Sequence, residues 1–185
     1  MHENNIHLNT TGVEIERKYL IVCPDLSWLE RQPGLRKIEI VQTYLLRQAQ
    51  SSHRVRQWKE NGESLYIETR KSGCGIRRTE TERQLTEAEY HAALEHADPD
   101  RRPIVKTRYI LPFDGQNFEI DIYPFWTRQA VMEIELESED QPIRFPAGIR
   151  ILREVTGDPN YTNSALALHP VGEDADAAKE NRNET

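Results

Sequence analysis

Apolar and polar side chains alternate along most of this chain with a period of two. Eight runs carry the pattern: residues 12–22, 39–47, 52–58, 63–72, 76–85, 102–112, 116–124 and 129–138. Alternation of this kind marks a strand with two unlike faces. Between some runs the composition is that of a tight turn, as in Lys71-Ser-Gly-Cys-Gly-Ile76 and Phe113-Asp-Gly-Gln116. Turns that short join antiparallel neighbours. Helical character interrupts the strands over Pro24–Gln32, Thr86–Ala97 and Asn163–Leu168. The second of these is the clearest. Thr86 is placed to cap it, Glu89 to complete a capping box, and Tyr90, Ala93, Leu94 and Ala97 to form its apolar stripe.

Eight antiparallel strands suffice to close a barrel that holds side chains or one small ligand. The expected fold is mainly β (α+β), an eight-stranded antiparallel closed barrel with a few flanking helices. The polar positions suggest what fills it. Glu14, Glu16 and Lys18 share one strand face, and so do Arg54 and Arg56, Glu80 and Glu82, Lys106 and Arg108, Glu119 and Asp121, and Glu133 and Glu135. One such strand is a solvated face. A series of them points to charges inward and apolar residues outward, under the helices. One run departs from this rule, because Lys71 shares parity with Leu65 and Ile67. A bulge or a half-apolar face would account for it.

Composition narrows the partners. The 185 residues fit one domain with tails: a flexible lead over 1–11, a core domain over 12–168 and a disordered acidic tail over 169–185. Charged residues are 30% of the chain and the formal net charge is −7, so a nucleic-acid partner is not expected. No apolar run approaches the ~20 residues of a membrane span, and the first residues lack the features of a signal peptide. Cys23 and Cys74 match no metal or redox spacing and read as reduced thiols. A cytoplasmic protein, monomer or homodimer, is expected.

A cavity lined by both signs suits a polyphosphate held through cations. The basic set grips phosphate oxygens, Arg bidentately and Lys as a point charge. The acidic set would repel such a ligand unless hard divalent cations lie between. Glu14-Ile-Glu-Arg-Lys18 resembles the ExExK signature of the CYTH domain, the triphosphate tunnel metalloenzymes. Arg54-Val-Arg56, Thr69-Arg-Lys71, Arg78-Thr-Glu-Thr-Glu82, Lys106-Thr-Arg108, Glu119-Ile-Asp121, Glu133-Ile-Glu135 and Glu154-Val-Thr-Gly-Asp158 are similar to the family's later motifs, in order. The resemblance covers about residues 12–168. One departure is Gln42-Thr-Tyr-Leu45, where the family often has Gly in place of Thr43.

The resemblance implies an eight-stranded tunnel that acts on a small triphosphate substrate with Mg²⁺ or Mn²⁺. It implies metal roles for Glu14, Glu16, Glu133 and Glu135, with Glu80, Glu82 and Asp121 as further ligands. It implies phosphate binding by Lys18, Arg54, Arg56, Lys71, Lys106 and Arg108, and catalytic positions at Glu14, Glu16, Lys18 and Lys71. The first functional reading is hydrolysis of inorganic triphosphate. A class IV adenylate cyclase, a thiamine or nucleoside triphosphatase, and a non-catalytic polyphosphate-binding module remain open beside it. Arg78 and Glu154 read as structural ion-pair partners. Trp28, Trp58 and Trp126 read as packing residues.

Overall fold

The structure is a computed structural model that describes residues 9–46, 52–72, 77–174 and 177. Its strands are β1 (Asn9–Val22), β2 (Arg36–Tyr44), β3 (Ser52–Glu60), β4 (Glu63–Ser72), β5 (Arg77–Leu85), β6 (Ile104–Phe113), β7 (Gln116–Ile122), β8 (Gln129–Leu136) and β9 (Ile151–Glu154). They form one antiparallel sheet in the order β5-β4-β3-β2-β6-β7-β8-β1-β9. Three helices flank it: α1 (Leu26–Leu29), α2 (Glu87–Leu94) and α3 (Asn163–Leu168), the last preceded by a 3-10 turn over Pro159–Tyr161.

Nine strands among the described residues replace the eight expected, and the simple closed barrel is corrected. The reason lies in β1, which is 14 residues long. Its second half pairs along one edge with β8. The opposite edge is divided: Asn9–Ile15 takes β5, and Tyr19–Ile21 takes β9. The sheet therefore curls back on itself only along the first half of β1. The strand β9 was not expected, because four residues (Ile-Leu-Arg-Glu) are too few to show a period.

Local chemistry fixes the connections. Asn61-Gly62 and Asp114-Gly115 each have two successive positive φ angles (51° and 87°, 51° and 75°). That is the mirror-image turn whose twist suits a two-residue hairpin. The turn expected at residues 71–76 lies largely outside the described residues. Asp25 caps α1, accepting from the Ser27 amide at 2.8 Å. The helix stops after four residues, well short of the expected Pro24–Gln32. The Thr86–Glu89 capping box forms as expected and starts α2.

The core is split between the two faces of the sheet. Outside, Tyr19, Ile21, Phe118, Ile120, Met132 and Ile134 pack beneath Leu29 of α1 and Ile149. Trp28 of α1 lies so close to Gly148 that a Cβ there would enter the indole. Inside, apolar side chains fill two regions. Ile38, Ile40 and Ile110 form one with Trp58. Leu20, Tyr44, Ile104 and Val131 form the other, together with Tyr123, Trp126, Tyr161 and Leu166. The interior is thus charged in the middle and apolar at two levels, which corrects the expectation of a wholly charged lumen.

β4 shows how this arises. Its ladders to β3 and β5 run without a register shift, so there is no bulge. Its inward face is half-apolar, running from Ile67 through Thr69 to Lys71. Thr43 also leaves the β2 ladders in continuous register. Residues 169–174 of the expected acidic tail are among the described residues. Glu173 accepts from the Arg128 amide at 2.8 Å, and Trp126 donates its indole N–H to the Val171 carbonyl at 2.9 Å. The Glu173 carboxylate thereby satisfies the Thr127 and Arg128 amides of the turn. Residues 1–8, 175, 176 and 178–185 of the expected lead and tail lie outside the described residues. Among the described residues no helix is long and apolar enough to cross a membrane.

Candidate active site

One cavity of about 440 Å³ lies on the inner face of the sheet. Seven carboxylates (Glu14, Glu16, Glu80, Glu82, Glu119, Glu133 and Glu135) and six bases (Lys18, Arg54, Arg56, Lys71, Lys106 and Arg108) line it. Each strand from β1 to β8 except β2 and β4 gives two or more of these at alternate positions or one acid. β4 gives only Lys71, and β2 gives the neutral Gln42 and Tyr44. Alternation places them together because antiparallel partners share a face: Glu16 is opposite Glu135, Lys18 opposite Glu133, and Lys71 opposite Glu80.

The structure brings every site residue expected from sequence to this cavity except Asp121. That residue is 0% exposed and does not line the cavity. It lies behind the wall and accepts from Arg108 twice at 2.7 Å and from Lys106. Arg108 also reaches Glu133 at 2.8 Å and pairs with Glu119. Lys18 is 2.7 Å from Glu133 and 3.6 Å from Glu16. Arg54 and Lys71 both pair with Glu80. Arg56 pairs with Glu82 and donates to Thr69 at 3.0 Å, while Thr69 donates to Glu82 at 2.9 Å.

The acids therefore fall into two groups. Glu80, Glu82, Glu133 and Asp121 are each held by basic or hydroxyl partners on two sides. Glu14, Glu16, Glu119 and Glu135 carry less compensation. Among the described residues the ion pair of Glu14 is with Lys71, at 3.0 Å, and Glu135 has none. Burial raises the Glu135 carboxyl, and the neighbouring Glu119 and Glu16 raise it further. Glu14 is pushed up to about 8, by burial first and then by its hydrogen bond with Glu80, against the pull of Lys71. Burial also acts upward on Glu80, but the hydrogen bond from Glu14 and the charges of Arg54 and Lys71 bring it down to about 2.

Among the bases, burial and Arg108 push Lys106 down to about 8 in spite of Asp121. Burial likewise lowers Arg56 to about 10, with Arg54 adding to the effect. Glu119 belongs to the acidic set read from sequence, which left it open between an arginine partner and a metal ligand; it pairs with Arg108, and its place beside Glu135 and Glu16 was not visible in a one-dimensional pattern. Gly157, Pro159, Thr162, Asn163 and Ser164 also line the cavity. They come from the segment before α3 and from its first two residues, which Tyr123 anchors by donating to Asn163 at 2.7 Å. Arg78 lies on β5, but its side chain is outside the described residues. Glu154 is on β9 and accepts from Arg17 at 3.2 Å and from Thr156 at 2.6 Å, away from the cavity.

Carboxylate oxygens are hard donors of the kind that Mg²⁺ and Mn²⁺ take. The undercompensated acids provide them on facing strands. Among the described residues, no three acidic, histidine or cysteine side chains converge as a ready-made cluster.

No family model matches the chain. Two curated relatives do. An inorganic triphosphatase of Acetivibrio thermocellus is 32% identical over 86% of this chain and 96% of its own length. An inorganic triphosphatase of Nitrosomonas europaea is 36% identical over 84% of this chain and 97% of its own length. A crystal structure of an inorganic triphosphatase superposes with a TM-score of 0.55 at 32% identity, covering 86% of this chain and 97% of that one. A protein from Pyrococcus horikoshii has the same fold, with a TM-score of 0.53 at 19% identity over 69% of this chain and 80% of its own.

Proposed function

We infer the chemistry of this cavity from one premise: the chain belongs to the inorganic triphosphatase family. It is a hydrolase of inorganic triphosphate and cleaves a phosphoanhydride bond. The observation that carries the reading is the near balance of seven carboxylates against six bases around one cavity. A lumen built only to bind a polyanion would be basic. This one holds seven acids against six bases, so a highly charged triphosphate enters with cations as its partners.

In this reading Lys18, Arg54, Arg56, Lys71, Lys106 and Arg108 grip the phosphate oxygens and orient the chain. Glu14, Glu16 and Glu135 would hold the divalent cations, with Glu119 beside them. Glu133 serves more to fix Lys18 and Arg108, and Asp121 to fix Lys106 and Arg108, than to reach a cation. The chemistry that Mg²⁺ or Mn²⁺ supplies when bound is phosphate neutralisation and a more acidic water. Phosphoryl transfer needs mainly positioning and charge stabilisation, so no side-chain nucleophile is required. A water in line with a terminal phosphorus is the attacking group, and pyrophosphate leaves. The fold and motif series fit the CYTH tunnel enzymes, in which the sheet wraps the substrate.

The test is a substrate panel of tripolyphosphate, ATP and thiamine triphosphate, each with Mg²⁺ and with Mn²⁺, and with products identified. Tripolyphosphate should give pyrophosphate and phosphate at the highest kcat/KM. Cyclic AMP from ATP would instead establish a cyclase. The Glu14→Ala, Glu16→Ala double variant should lose turnover while keeping its far-ultraviolet circular dichroism. Full activity in that variant would sink the assignment.

A further inference from the structure

Trp58 stands apart from the charged residues that line the cavity. It is on the inward face of β3, two positions beyond Arg56. Ile40 is directly opposite it on β2, and Ile67 on β4 is opposite Arg56. Ile38, Ile40 and Ile67 are at most 1% exposed although they share parity with cavity-lining residues of their own strands. An inward residue that water cannot reach lies where the lumen is filled. Trp58 packs against Ile38, Ile40 and Ile110 and presents its remaining surface to the cavity. The Arg56 guanidinium lies over the indole, 5.2 Å from its centroid. The ring is thus held between an isoleucine cluster and a cation.

We propose that Trp58 is the specificity-determining end wall of the cavity: it blocks the lumen and holds Arg56 on its face, so that a linear chain binds with a free terminal phosphoryl group stopped at Arg56. The inference rests on the triphosphatase reading and adds the feature that limits chain length. An aromatic face orients a buried guanidinium without competing for its N–H donors, which stay available to oxygen. Glu82 and Thr69 hold the guanidinium from the side. A tetrapolyphosphate stopped at the same wall leaves one unit beyond the grip, and a shorter chain leaves part of the grip unused.

The experiment compares kcat and KM for tripolyphosphate and tetrapolyphosphate in the wild type, Trp58→Ala, Trp58→Leu and Trp58→Phe. In Trp58→Ala the KM for tripolyphosphate should rise by about fivefold or more, the size of a lost desolvated cation–π contact, with a smaller change in kcat. The preference for three units over four should fall by about fivefold or more, because the wall is gone. Trp58→Phe keeps a ring and should recover most of both losses. Trp58→Leu keeps a plug without a π face; it should raise KM but retain the length preference, and it serves in place of alanine if that variant does not fold. The inference is overturned if Trp58→Ala and Trp58→Leu keep the wild-type KM and the wild-type length preference. It is also overturned if the wild type handles three and four units equally. A wild type inactive on tripolyphosphate would instead sink the functional reading itself.

Discussion

Asp121 and Glu135 show how two acids of the same inward parity come to do different work. Asp121 is fully buried and is the shared acceptor of Arg108 and Lys106. Removing it leaves two buried cations without their main counter-charge, which typically costs about 3–5 kcal/mol. Asp121→Ala should therefore be strongly destabilised in urea denaturation, even before its activity is considered. Glu135 is exposed to the cavity and has no ion pair among the described residues. Glu135→Gln should change stability by no more than about 0.5 kcal/mol and yet lower turnover. Equal losses of stability in both variants would remove the distinction. Parity in the sequence placed both residues inward. It could not say which would be covered by the wall, because depth depends on the tilt of the neighbouring strands.

Strands and helices carry a second set of consequences. β4 is a strand whose inward face changes character along its length, from Ile67 to Lys71. Sequence left a bulge or a half-apolar face open for it, and the unbroken ladders decide for the latter. α2 depends on its capping box, in which the Glu89 carboxylate accepts from the Thr86 amide at 2.7 Å. That bond, followed by those with Arg83 and the Thr86 hydroxyl, lowers the Glu89 carboxyl to about 2. A carboxyl lowered in the folded state stabilises above its unfolded value near 4.5, and the contribution is lost as pH falls toward 2. The melting temperature of Glu89→Ala should lie below that of the wild type at neutral pH, and the gap should close in acid. A gap that stays constant down to pH 2 would contradict the role of the carboxylate. The capping box was legible because it is a local pattern. The 3-10 turn and β9 were not, because they are short and are held by tertiary contacts.

The molecule as a whole carries a net charge of −7, and its cavity has one more acid than bases. Such a protein does not attract a triphosphate by its overall field. Tripolyphosphate together with Mg²⁺ should raise the melting temperature more than either alone, since only the pair satisfies acids and bases at once. Chelation with EDTA should abolish hydrolysis and leave the secondary structure unchanged. Hydrolysis that persists in EDTA would remove the cations from the mechanism. Sequence alone determined that the protein is a mainly antiparallel sheet, because alternation with a period of two and tight turns are local features of the chain. It also determined which charged residues face inward, since parity is preserved along an unbroken strand. The tertiary structure decided how β1 divides its edge, where apolar residues fill the interior, and which acids are compensated by bases from other strands. Those properties depend on pairings between residues as far apart as Lys18 and Glu133, and such pairings exist only once distant strands have come together.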